Sequence, residues 1–238
     1  MSFVPEGMLV NMALTNYQEF MTANPPLPSS DQRVQAVRRV GGRISQAVNQ
    51  YLTENGESDR IQNFQWEFNA VQDELVNAWA MPGGKIMFYS GIFPVTQNDE
   101  GIAVVMAHEI AHAVARHGNE RMSQQLLLTL GAVSLDVALR DKPEVTRNIF
   151  LMTYGVGGQL GTLAYSRKHE YEADKLGMIF MAMAGYNPAT TVTFWERMQA
   201  SASGGEPPQF LSTHPSSSSR IKAARDFVPE AMRYYSPQ

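Results

Sequence analysis

The chain has 238 residues, 44% of them hydrophobic and 18% charged, with five histidines and no cysteine. That length and composition suit one domain, or one domain with a subdomain, and a sizeable core. A formal net charge of −4 with no basic stripe argues against a nucleic-acid partner, and the lack of cysteine excludes thiolate metal sites and disulfides.

In chain order, the opening "MSFVPEGMLV" shows no basic region and no long apolar core, so no signal peptide is visible. Apolar residues at Val34, Val37, Val40, Ile44, Val48 and Leu52 recur with helical spacing up to Gly56. "FQWEFNAV" (64–71) alternates as a strand does, and residues 74–93 read as two strands around Pro82-Gly83-Gly84. A helix carrying H-E-I-A-H follows, with Thr96 and Asp99 expected as a capping box and Gly118 as its C-cap. Residues 126–165 are apolar and punctuated by glycine; "LLLTLGAVSLDVAL" (126–139) is too short to span a bilayer and is broken by Asp136. Helices are then expected from Ser166 to Gly185, after Asn187-Pro188, and from about Ser216 to Phe227. The pattern is α+β, a mostly helical body with a small sheet beside the motif helix. We expect a single domain over 1–238, with 1–28 as an N-terminal extension and 30–228 as the core.

With five histidines, H-E-x-x-H arises by chance in roughly one such chain in two hundred, so its surroundings must decide. His108 and His112 lie one above the other on a helix face, and Glu109 lies about 100° round. The flanks, Ile102 to Ala107 and Ile110 to Val114, are apolar apart from the motif, so the helix is expected to be buried. Buried imidazoles and a carboxylate need partners or a metal. A hydrolytic zinc usually takes three protein ligands and leaves room for water. His117 stands nine residues after His108, about 900° round a helix and so on the opposite side; it reads as a cation at a helix C-terminus. In "HEYEAD" (169–174), Glu170 and Asp174 share a face. Glu170 is the expected third ligand, with Asp174 holding the outer nitrogen of a ligating histidine, while His169 and Glu172 read as exposed.

H-E-x-x-H followed by S-R-x-x-E-x-E-A-D-x-x-G resembles the HtpX and CAAX-prenyl-protease family of gluzincin peptidases, which includes soluble bacterial BepA-type envelope quality-control proteases and mitochondrial Oma-type proteases. "NAWAMPGGKIMFYSGIF" and "STHPSSSSRI" resemble two further family elements, and the likeness covers about 30–228. It implies His108, His112 and Glu170 as ligands of one Zn²⁺ per chain, Glu109 as catalytic base and Asp174 behind a ligand. It also implies a periplasmic or membrane-associated bacterial protein whose targeting or membrane-attaching segment lies outside this chain.

The expected reaction is zinc-dependent hydrolysis of peptide bonds in extended, unfolded or misassembled polypeptide, with Glu109 taking the proton of the attacking water. His214 and Arg220 are candidate donors to the developing oxyanion, Arg220 reading equally as a surface arginine. The strand at Gly83, Gly84, Lys85 and Ile86 is expected to offer an edge to substrate, unless it lies inside the sheet. His214, in "LSTHP" downstream of Gly204, Gly205 and Pro207, reads as a fourth zinc ligand that latches the site, as an oxyanion donor, or as a surface histidine. A zinc-stabilised holdase or client-binding module without turnover is the alternative, with the 126–165 segment as its binding surface.

Overall fold

The structure is a computed structural model and describes residues 4–130, 143–154, 165–202 and 208–237. Most of the glycine-punctuated 126–165 segment, and the Gly204–Gly205–Pro207 stretch, lie outside the described residues.

Two helices, α1 (Glu6–Ala23) and α2 (Gln32–Glu54), precede a sheet of β1 (Glu67–Val71), β2 (Ala78–Met81) and β3 (Lys85–Tyr89). After it come α3 (Phe93–Thr96), α4 (Asp99–Val114), α5 (His117–Leu130), α6 (Pro143–Tyr154), α7 (Arg167–Met183), α8 (Thr190–Ser201), α9 (Gln209–Thr213) and α10 (Ser218–Ala231). The expected α+β class holds. The strand order is β1-β3-β2, with β1 parallel and β2 antiparallel to β3. β2 and β3 form the expected hairpin. Pro82-Gly83 turns the chain, with Gly83 at φ 86° and Gly84 N–H donating to Met81 O at 3.2 Å. That conformation needs a residue tolerant of positive φ.

The sheet is buried on both faces. Ile86 and Phe88 point into a core shared with α2, α4, α7 and α8, while Met87 and Tyr89 point into a second core with α1, α5 and α6. Residues 1–28, expected as an extension, therefore contribute α1, whose Leu9, Ala13, Tyr17 and Phe20 are buried against Trp79 and its neighbours.

This layering overturns the expected substrate edge at Gly83, Gly84, Lys85 and Ile86. β3 is the central strand, and the glycines serve the turn. Lys85 is buried, donating to Gln65 O at 2.9 Å and pairing with Glu67 at 3.2 Å. Among the described residues, β2 is the strand whose outer edge adjoins α4. Asn77 O accepts from Tyr89 N–H and Met81 O from Gly84 N–H, so the backbone groups of Ala78 and Ala80 face away from β3.

Helix α7 packs tightly across α4. A Cβ at Gly177 would come within 3.1 Å of His108 N, so a glycine here lets the two helices bring their polar side chains together.

Candidate metal centre

α4 starts at Asn98, whose side chain accepts from Gly101 N–H at 3.0 Å. The Thr96–Asp99 capping box is therefore corrected; Thr96 is buried in α3, its hydroxyl donating to Phe93 O at 3.1 Å. As its apolar flanks predict, α4 is buried from Gly101 to His112.

The helix does not run on to Gly118. It ends at Val114, and Arg116 adopts φ 60°, which reverses the chain so that His117 begins α5. Counting 100° per residue fails past such a break. His117 turns back onto the motif, with Nδ1 3.0 Å from Nδ1 of His112. Burial lowers its pKa to about 3, so it is a neutral imidazole and not a cation at a helix end.

His108 and His112 bring their Nε2 atoms to 3.1 Å of each other. α7 opens at Ser166, whose hydroxyl accepts from His169 N–H at 3.2 Å, and its first turn delivers Glu170. Glu170 Oε1 lies 3.3 Å from His112 Nε2 and 3.1 Å from His214 Nδ1. His214, at the end of α9, is buried, with Nδ1 3.2 Å from His108 Nε2. The surface reading of His214 is thus excluded.

Asp174, one turn after Glu170, accepts from His108 Nδ1 at 3.0 Å and from the Trp195 indole at 3.2 Å. Arg220 of α10 is buried, stacked over Trp195 at 3.8 Å, and grips Asp174 at 2.5 and 2.8 Å while also pairing with Glu170. It is no surface arginine. Burial pushes the carboxyls of Glu170 and Asp174 up, but Arg220 and the surrounding histidines outweigh it and hold both below the usual range. His169 and Glu172, expected to be exposed, divide: His169 is buried and Glu172 is half exposed.

Glu109 points to the β2 side, buried, with Oε1 3.2 Å from His214 Nε2 but out of line for a hydrogen bond. Burial raises its pKa; His214, His108 and the Ala80 N–H pull the other way. A cavity beside it is lined by Ala78, Ala80, Tyr165 and His214.

His108, His112, Glu170 and His214 form a group that can hold one metal ion. Four bonds of about 2.0–2.1 Å at tetrahedral angles place donor atoms about 3.3 Å apart. Four of the donor pairs here lie 3.1 to 3.3 Å apart, the shortest His108–Glu170 approach is 3.6 Å, and all four donor atoms fall within 4.8 Å of one another. Three imidazole nitrogens and a carboxylate, turned inward at that spacing, are a donor set that suits zinc.

A family model for Peptidase family M48 matches residues 41–228. The chain belongs to peptidase family M48. This M48 chain is 35% identical over 227 residues to mitochondrial metalloendopeptidase OMA1 of Schizosaccharomyces pombe, across 92% of this chain and 61% of that protein. It is 26% identical over 215 residues to the β-barrel assembly-enhancing protease of Escherichia coli, across 88% and 42%. Human mitochondrial OMA1 is 28% identical over 218 residues, across 88% and 40%. The chain thus spans about two-fifths to three-fifths of the length of these relatives.

Sequence reasoning missed two M48 site neighbours. Tyr165 stacks on the His112 ring at 3.8 Å, and burial pushes its hydroxyl pKa up to about 12. Trp195 supports both Asp174 and Arg220. Neither belongs to a spaced motif; only the fold brings them in.

Proposed function

We propose that the protein is a zinc metalloendopeptidase acting on extended, unfolded or misassembled polypeptide. The observation that carries this reading is the buried Glu109 carboxylate beside the cluster of His108, His112, Glu170 and His214. In this reading His108, His112 and Glu170 hold the metal in one peptidase domain spanning the chain. Bound zinc supplies Lewis acidity, polarising a peptide carbonyl and making a water molecule easier to deprotonate. Glu109 accepts the water's proton at a carboxylate oxygen and then delivers it to the leaving amine nitrogen. Asp174 holds His108 by Nδ1, and Arg220 holds Asp174 and Glu170, a positioning role instead of oxyanion donation because its guanidinium is already engaged.

For substrate, the outward-facing backbone of Ala78 and the carbonyl of Ala80 on β2, whose Ala80 N–H serves Glu109, support pairing with an extended chain along the Glu109 cavity. Main-chain pairing tolerates many side chains, which suits quality control. The names of the relatives, a mitochondrial metalloendopeptidase and a β-barrel assembly-enhancing protease, support an envelope setting, periplasmic or membrane-associated. No helix among the described residues is long and apolar enough to cross a membrane. A binding module without turnover has no use for a carboxylate base at this point. The test is incubation with unfolded casein, with and without chelator; intact casein in the zinc-loaded sample rejects the peptidase reading.

The ligand assignment separates two nearby carboxylates. Glu170→Ala loses most bound zinc, while Glu172→Ala, whose partner is His117, keeps it nearly stoichiometric. Metal analysis giving the reverse order moves the ligand to Glu172.

His214 groups with the three expected ligands, and as a fourth donor it would take the coordination position an attacking water needs. We therefore expect His214→Ala to bind zinc more weakly and to cleave unfolded substrate faster. A loss of about two to three orders of magnitude in turnover with unchanged zinc affinity makes it an oxyanion donor instead.

A further inference from the structure

The described residues hold one histidine that touches the donor cluster from outside. We propose that His117 is a positioning residue that fixes the tautomer and ring orientation of His112, an inference that rests on the metal-centre reading above. His108 and His112 both turn Nε2 inward, 3.1 Å apart. The outer nitrogen of His108 faces a carboxylate, Asp174, at 3.0 Å. The outer nitrogen of His112 faces His117 Nδ1, also at 3.0 Å.

Two ring nitrogens at that distance share a single proton. With Nε2 of His112 offering its lone pair inward, Nδ1 carries the proton and donates it to Nδ1 of His117. His117 then bears its own proton on Nε2, which faces Glu172 Oε2 at 3.5 Å. An imidazole backed by a carboxylate thus does for His112 what Asp174 does for His108.

The surroundings allow little freedom. His117 stacks on His169 at 4.4 Å and 17°, and Tyr165 covers the face of His112 at 3.8 Å. Backbone geometry sets the placement: the positive φ of Arg116 swings His117 inward, and a Cβ at Gly118 would strike the Tyr154 hydroxyl at 2.3 Å. His117, His169 and Glu172 do not converge with one another as the four donors do, so these neighbours build support and not a second metal site.

The test compares His117→Phe with His117→Asn. Phenylalanine keeps a ring but no acceptor; asparagine places Oδ1 close to the position of Nδ1 and accepts the same hydrogen bond. Zinc affinity, by competition with a chromogenic chelator, is expected to fall about 10- to 100-fold in His117→Phe and to be largely restored in His117→Asn. Melting of the metal-free proteins checks that each variant folds. Wild-type affinity in the phenylalanine variant, or equal loss in both folded variants, overturns the proposal. Nitrogen NMR of the zinc-loaded wild type gives an answer that no folding defect can blur. It should report His117 protonated at Nε2 and bare at Nδ1, and the opposite tautomer overturns the proposal. His112→Ala is the control: if it binds zinc like wild type, the metal-centre reading itself has failed.

Discussion

Glu109→Gln retains the fold and the bound zinc and loses about three orders of magnitude in turnover, within the usual 10²- to 10⁴-fold span for a positioned general base. The amide matches the carboxylate in shape, so packing beside His214 and Ala80 survives. What it lacks is a lone pair basic enough to accept a proton. A buried carboxylate is costly unless the site uses it, and burial already biases Glu109 toward holding a proton. Turnover on an unfolded peptide, zinc content and melting temperature should be measured together. Residual turnover within about tenfold of wild type assigns the base elsewhere.

The local rules that worked were those tied to one unbroken element. Val34 to Leu52 share the buried stripe of α2, and the apolar flanks of H-E-x-x-H did mark a buried α4. The shared face of Glu170 and Asp174 put one carboxylate among the donors and the other on His108 Nδ1, because α7 is regular there. Failure came where a break or a partner decides. Nothing in "VARHG" announces that an arginine takes positive φ, a conformation uncommon outside glycine and asparagine, so counting along one unbroken helix puts His117 on the wrong side. The central place of β3 has a visible sign in "KIMFY": after Lys85, the residues Ile86 to Tyr89 put large apolar or aromatic side chains on both faces, as a strand covered twice must. Arg220 was illegible alone, since its burial depends on carboxylates 46 and 50 residues away in the chain.

Arg220 also carries the largest expected effect on stability. Its guanidinium lies between two buried carboxylates, gripping Asp174 with two nitrogens and Glu170 with a third, while its face rests on Trp195. Such a cluster gains little over a well-packed apolar core, because desolvating the charges offsets much of their attraction. Removing one member is different. Arg220→Met fills similar volume but strands Asp174 and Glu170 without their cation, a change that costs about 3–5 kcal/mol. In the metal-free protein this should lower the melting temperature by about 10 °C, at roughly 2–4 °C per kcal/mol for a chain of this size. Arg220→Lys should recover only part of the loss, since one ammonium cannot present a planar fork to Asp174 and reach Glu170 as well. Because the arginine sits behind Glu170 and Asp174, His214→Ala in the same assay should not reproduce the drop. A melting temperature within about 2 °C of wild type for Arg220→Met would mean that the carboxylates find other partners, and that α10 is held to α7 by its apolar contacts alone.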